Sequence, residues 1–175
     1  AANLLPESNG LKSPLMCLTQ AREGIAWGIT GPALDCFETV LNYGIERIAF
    51  DKPIANFQLY QHKLAEMATM IMNSQLMNLH FGRLKDAGKL TPVQVSMHKR
   101  HNVEKAREIA SMARGMLGGI GITYAYPVIR HMMTFNKTFY EFVPDYSIPS
   151  FSLPIFSFSL GRRHRPLASQ SNVQD

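Results

Sequence analysis

Cysteine, clustered charge and long apolar runs are all scarce in this chain, and each scarcity closes a class of function. Cys17 and Cys36 are the only two cysteines. If one helix carries both, they stand about 28 Å apart along it, far beyond disulfide reach. That fits a reducing compartment. No apolar run approaches the roughly 20 residues of a membrane-spanning helix, and no secretory signal is visible. An initiator Met is missing as well. The chain opens Ala1-Ala2-Asn3-Leu4-Leu5-Pro6, which reads as mid-protein sequence and predicts a fragment or a processed product. The net charge of +5 is spread along the chain, with only Arg162, Arg163 and Arg165 gathered together. Nucleic-acid binding therefore has no patch to rest on. A metal site is equally poorly supported. His98 and His101 sit i,i+3 near Glu104 on a charged helix face, but no third ligand accompanies them and such pairs are ordinarily solvated.

What the chain has is helical periodicity. After a short lead-in over residues 1–13, with Pro6, Gly10 and Ser13 as breakers, the pattern from Leu15 to Tyr43 is helical. Gly24, Gly28 and Gly31 lie inside it. They fit either tight helix packing or the close approach of a flat ligand. Pro32 is placed to kink this helix or break it in two. A second helix, capped by Asn56, is expected to run to Lys85. Its stripe is Phe57, Tyr60, Leu64, Met67, Ile71, Ser74, Asn78 and Phe81, alternating steps of three and four. Asp86-Ala87-Gly88-Lys89 ends it with a glycine stop. Thr91-Pro92-Val93-Gln94 then restarts the chain as an N-cap, a first-turn proline and a capping box. The third helix runs to Leu117 with a small-residue seam of Val103, Ala106, Ala110, Ala113 and Leu117. Its other face, with Lys99, Arg100, Glu104, Lys105, Arg107 and Glu108, is expected to be solvated. Gly118-Gly119-Ile120-Gly121 breaks the chain, and a short helix is expected from Tyr126 to Met133.

These helices and their short connections predict an all-α antiparallel bundle over residues 14–133. No period-two strand pattern appears before residue 140. Residues 134–175 differ in character. Pro144, Pro149 and Pro154 preclude a helix, and the Ser/Phe/Leu bias predicts a disordered, aggregation-prone tail.

The densest functional signal is Glu46 to Lys63. Arg47 supplies a fixed positive charge, Phe50 an aromatic face, and Gln58 and Gln61 open the next helix. A cation, a ring and an amide near a helix N-terminus suit a phosphate-bearing aromatic cofactor. An ordinary connector between helices explains the same residues.

Three quarters of the chain, from about Leu4 to Met133, carries an ordered set of short runs. They are Cys17 to Gly28 (CLTQAREGIAWG), Arg47 to Ile54 (RIAFDKPI), Gln58 with Gln61 to Ala65, Gly82 to Asp86 (GRLKD), Lys99 to Asn102 (KRHN) and Met116 to Ile122 (MLGGIGI). In order and spacing the set resembles the C-terminal helical domain of the acyl-CoA dehydrogenase family, most closely its glutaryl-CoA branch. A peroxisomal short-chain acyl-CoA oxidase is a near relative.

The resemblance implies a set of roles. Arg47, Phe50 and Gln58 would touch the FAD of a neighbouring subunit, and Gly115, Met116, Leu117, Gly118 and Gly119 would form a loop against its dinucleotide. Leu15, Met16, Cys17, Leu18, Thr19, Gln20, Ala21 and Arg22 would form part of the acyl-CoA wall, with Arg22 closing it. The implied chemistry is removal of an α-proton by a carboxylate base with hydride transfer to flavin, followed in the glutaryl branch by decarboxylation to crotonyl-CoA. The implied setting is a homotetramer in the mitochondrial matrix that hands electrons to an acceptor flavoprotein. The family's N-terminal helical and central β domains lie outside this sequence, so the chain is expected to be a partial and inactive form. A non-catalytic fragment that binds FAD or intact subunits is the alternative.

One departure concerns the base. The family carries a Tyr-Glu-Gly-Thr-like run after its last helix. Counting without gaps from Arg47 places the base on Phe142, which cannot abstract a proton. Glu141 lies one residue short of that register, preceded by Tyr140 and followed by Phe142-Val143-Pro144. It is the one candidate base. The switch in composition predicts that the chain diverges from the family near Thr134, as translation of unspliced or frameshifted sequence would produce.

Overall fold

A computed structural model describes residues 10–141, with side chains as far as Thr138. What was expected of residues 1–9 and 142–175 lies outside the described residues. Within them the chain is all-α apart from one tiny hairpin. The helices are α1 (Lys12–Gly28), α2 (Thr30–Glu46), α3 (Gln58–Asp86), α4 (Pro92–Leu117) and α5 (Val128–Glu141). Between α2 and α3, β1 (Ile48–Ala49) pairs antiparallel with β2 (Lys52–Pro53).

The first predicted helix is two helices. They part at Ile29, ahead of Pro32, and the reason is local. Pro32 has no N–H to give the Gly28 carbonyl, and its ring crowds that carbonyl. The break is stitched by side chains instead: the Thr30 hydroxyl donates to the Trp27 carbonyl at 2.8 Å, and the Asn102 amide donates to the Ala26 carbonyl at 2.8 Å. α1 also starts at Lys12 rather than Leu15, because Pro14 is compatible with the first turn of a helix. Asn56 does not cap α3. It belongs to a short 3-10 turn, Ile54–Asn56, and Phe57 occupies the N-cap position without a side-chain hydrogen bond. The capping box at Thr91 and Gln94 is present in both directions. α5 extends to Glu141, so residues 134–141, expected in the tail, are helical.

α1 and α2 together run one way, α3 returns, α4 goes out again and α5 comes back. Side-chain contacts fix these directions. The Tyr60 hydroxyl donates to the Val40 carbonyl at 2.6 Å. Asn102 reaches Asn78 at 2.8 Å, and the Lys99 ammonium reaches the Thr138 carbonyl at 3.3 Å. α4 is the central helix, packed by α1, α2, α3 and α5. All five seam residues are buried. They meet Cys36, Val40, Met67, Ile71, Val128 and Phe135 in one core.

Centrality changes the charged face of α4. Arg100, Glu104 and Glu108 are exposed and Lys105 and Arg107 partly so, but Lys99 is buried. His98 is buried too, contrary to the expected solvated pair. Among the described residues, no group of three or more His, Cys, Asp or Glu side chains gathers as a metal site, and no helix is long and apolar enough to cross a membrane. Cys17 is exposed on α1 and Cys36 buried on α2, and both are free thiols.

A candidate flavin and acyl-CoA site divided between the two ends of the bundle

Arg47 is the residue after α2, extended and exposed, and its carbonyl accepts the Ile54 N–H at 2.9 Å. This bond closes the foot of the β1–β2 hairpin. The two-residue tip is Phe50-Asp51, with φ of +52° and +63°. Such a turn favours Asn-Gly because both residues are left-handed, and holding two side-chain-bearing residues there costs of order 1–3 kcal/mol each. The result is a Phe50 ring standing 88% exposed at the tip. Phe57 supports it edge-on at a centroid distance of 6.1 Å, and the Lys52 ammonium lies 4.4 Å above the Phe57 ring. Gln58 follows as the exposed first residue of α3.

The Gly115–Gly119 loop is at the same end. α3 and α4 are antiparallel neighbours, so the end of α4 returns to the start of α3. Just past this loop, Tyr126 meets Tyr43 of α2 edge-on at 5.6 Å, four residues before Arg47. Within the loop, Met116 and Leu117 turn their side chains into the core. Only backbone there can face a ligand. Gly118 has φ +65° and ψ −138°, a conformation open to glycine. Cβ atoms built at Gly115, Gly118 or Gly119 would meet nothing within 4 Å. The outer surface of the loop is bare backbone, the kind that lets N–H groups approach a phosphate. Gly121 is different, because a Cβ there would collide with the Arg114 carbonyl. Gly121→Ala is therefore expected to cost about 1–3 kcal/mol, read as a lower urea midpoint, whereas Gly119→Ala should leave that midpoint within about 0.5 kcal/mol of the parent.

Leu15 to Arg22 stand at the opposite end. Leu15, Met16 and Leu18 are exposed and face away from the bundle. Arg22 is half-buried, with one guanidinium nitrogen 3.4 Å from the Ser96 hydroxyl near the start of α4, and its buried Nε has no hydrogen-bond partner among the described residues. From Ser96 to Gly118 is 22 residues of α4, about 33 Å. One copy of the chain thus does not bring its two candidate clusters together. The last turn of α5 does come to the Arg22 end, through Lys99 and Thr138. Glu141, the candidate base, is the last residue described on that helix.

Sequence reading missed a buried polar cluster towards the Arg22 end, within two turns of Ser96 on α4. His98 Nε2 donates to Asn78 Oδ1 at 2.6 Å, and Asn102 donates to the same oxygen at 2.8 Å. Burial, reinforced by the charge of His101 and partly offset by Glu23, pushes the His98 pKa down to about 4. Asn78 was legible as part of the α3 stripe. Asn102 was visible only as a letter in the KRHN run, and Lys99 was read as part of the solvated face of α4.

Residues 8–138 match the acyl-CoA dehydrogenase C-terminal domain family. The chain belongs to the acyl-CoA dehydrogenase family. A solved glutaryl-CoA dehydrogenase from Mycobacterium smegmatis is 49% identical, superposes with a TM-score of 0.74, and is matched over 77% of this chain and 35% of its own. A structure described as a glutaryl-CoA dehydrogenase from the same organism in complex with FADH2 is 43% identical with a TM-score of 0.74, covering 76% of this chain and 34% of that one. The mitochondrial short/branched chain specific acyl-CoA dehydrogenase of Bos taurus is 35% identical over 123 residues, 70% of this chain and 28% of that protein. The chain spans about a third of the length of these acyl-CoA dehydrogenase relatives.

Proposed function

We propose that this chain is the helical part of an FAD-dependent acyl-CoA dehydrogenase that oxidises and decarboxylates glutaryl-CoA. The observation that carries the reading is geometric. Arg47, Phe50, Gln58 and the bare Gly115–Gly119 backbone share one end of the bundle, and their chemistry fits a dinucleotide. Arg47 offers a guanidinium for a phosphate, the glycine loop offers N–H groups, and the uncapped start of α3 adds a positive dipole end. Bound FAD would supply the hydride acceptor. Leu15 to Arg22, at the far end, would line the acyl-CoA path, with Arg22 closing it. Glu141 is the candidate acceptor of the substrate α-proton. A separation of about 33 Å between the two clusters suits a flavin held between copies, consistent with a tetramer. The bovine relative's mitochondrial location favours the matrix, and an electron-accepting flavoprotein would reoxidise the flavin.

A second reading is a non-catalytic form that binds FAD or partner subunits. It is favoured by Phe142 standing where the family register puts a carboxylate. A third, an acyl-CoA oxidase, differs only in electron acceptor. The test is to incubate the 175-residue chain with FAD, desalt it, read flavin absorbance, and assay glutaryl-CoA turnover with a dye acceptor and then with oxygen alone. Turnover with dye supports the first reading, and bound flavin without turnover the second. Turnover with oxygen alone supports the third, and neither flavin nor turnover defeats all three. Arg47→Ala is expected to weaken FAD binding by about tenfold or more, the value of a charge-assisted hydrogen bond, with the urea midpoint unchanged.

A further inference from the structure

Glycine weakens the interior of a helix, because its backbone has the most freedom to lose. Gly44 nevertheless sits buried two residues before the end of α2. The ring of Tyr60, in the first turn of α3, fills the place that a side chain would take. A Cβ built at Gly44 would stand 2.5 Å from a ring carbon of Tyr60 and 2.9 Å from its hydroxyl oxygen. The hydroxyl reaches one turn back along α2 and donates to the Val40 carbonyl at 2.6 Å. Val40 lies four residues before Gly44, so its carbonyl is the one that the Gly44 N–H meets in the helical ladder. The tyrosine takes the second lone pair. Ring and hydroxyl thus engage the same turn of α2.

We propose that Tyr60 is a positioning residue for the candidate flavin clamp: seated on Gly44 and bonded to Val40, it fixes the start of α3 on the end of α2 and so sets Gln58 against Arg47. The place of the contact in the chain carries the argument. Arg47 follows Gly44 by three residues, and Gln58 precedes Tyr60 by two. The contact therefore closes the segment that bears Arg47, Phe50 and Gln58. Bonds inside that segment are local. The Ile54 N–H meets the Arg47 carbonyl at 2.9 Å, the Phe57 N–H meets the Ile54 carbonyl at 3.1 Å, and the Gln61 amide donates to the Ala55 carbonyl at 2.9 Å. They give the hairpin and the following turn their shape, and Tyr60 ties the closing end of the segment to α2.

A guanidinium and an amide act on one ligand only when held at a fixed separation, and that is the work of supporting residues. Tyr60 touches no ligand in this scheme and acts through Arg47 and Gln58. Burial, reinforced by Tyr43, pushes its phenol up to about 12, so the hydroxyl keeps its proton, and the bond to Val40, at any ordinary assay pH. The contact with α2 stands on geometry alone. Its consequence for FAD rests on the proposed function.

The test uses the 175-residue chain and four variants: Tyr60→Phe, Tyr60→Leu, Gly44→Ala and the double variant Gly44→Ala with Tyr60→Leu. The readouts are hydrogen exchange of the Ile54 amide and FAD affinity, both without denaturant. Tyr60→Leu and Gly44→Ala are each expected to speed Ile54 exchange and to weaken FAD binding about tenfold or more, while the seam of α4 keeps its protection. Tyr60→Phe keeps the ring and loses one neutral hydrogen bond, so both readouts should move by about threefold to tenfold. The two single substitutions strike one contact, so the double variant should be little worse than Tyr60→Leu alone. Effects that multiply in the double variant would show two independent defects and overturn the proposal. So would an Ile54 amide that exchanges at the parental rate in Tyr60→Leu. Faster exchange with unchanged FAD affinity would make Tyr60 a brace of the fold and overturn its positioning role. If Tyr60→Leu or Gly44→Ala does not fold, Tyr60→Phe decides by the same two readouts. A parent chain that binds no FAD would defeat the proposed function, and Ile54 exchange would still decide whether Tyr60 holds the segment on α2.

Discussion

Acidification from pH 7 to pH 4 is expected to remove about 3 kcal/mol of stability through His98 alone. The folded-state pKa of about 4 lies below the ordinary value of 6.5. The unfolded chain therefore binds a proton through that interval and the folded chain does not. The His98 contribution is fully present above pH 6.5 and is lost as pH falls towards 4, at about 1.4 kcal/mol for each unit of difference. The cause is structural. His98 is 1% exposed, and its ring lies 4.7 Å from that of Phe81. Its Nε2–H is committed to Asn78 Oδ1, an atom that only accepts. His101 on the same helix is also held below its usual pKa, first by burial and then by Lys105, and adds in the same direction. Carboxylates titrate over the same range, so wild type must be compared with His98→Gln. Urea unfolding at pH 7, 5.5 and 4 supplies the comparison. The variant should be less stable at pH 7, and the gap should narrow or reverse by pH 4. A gap that stays constant across the three pH values would mean that His98 is not the group being protonated.

This cluster also marks where sequence reading stopped. The α3–α4 hairpin was legible because its signals are local. Gly88 takes φ +66° at the end of α3, and Thr91 and Gln94 cap each other three residues apart. The seam from Val103 to Leu117 was legible because it repeats with the helical period. The charged face of α4 was misread because a charged face implies solvent only when one side of a helix is covered. α4 has neighbours on most of its circumference, so His98, Lys99 and Asn102 are enclosed despite their polarity, while Arg100, Glu104 and Glu108 stay exposed. The break of the first helix in two was legible from Pro32, and it falls at Ile29 because the missing hydrogen bond belongs to the carbonyl four residues earlier. The candidate flavin residues came from resemblance rather than from local pattern. The structure then distinguished backbone from side chain among them, since Met116 and Leu117 face inward.

The other large effect is expected at Phe135, and it bears on where the folded domain ends. Sequence composition placed Thr134 at the start of a divergent tail, yet α5 continues to Glu141. Phe135 is fully buried and the largest of the fully enclosed side chains. Its ring stacks on His131 at 6.0 Å, and His131 is bonded to Asp35 of α2 at 2.6 Å. Phe135→Ala should cost about 3–5 kcal/mol, the range for emptying a buried aromatic site. Phe135→Leu should cost about 1.5 kcal/mol or less, because most of the volume is kept. Phe81→Ala, in the unambiguous α3 stripe and also buried, is the internal standard. If residues 134–141 belonged to a tail, Phe135→Ala would fall within about 0.5 kcal/mol of wild type while Phe81→Ala remained damaging. A loss at Phe135 comparable with that at Phe81 places α5 inside the cooperative unit. That outcome would also make the α5 contact at Lys99 and the Tyr43–Tyr126 contact parts of one fold, since Phe135 lies on the helix that connects them. The two candidate clusters, though far apart, would then be lost together when this ring is removed.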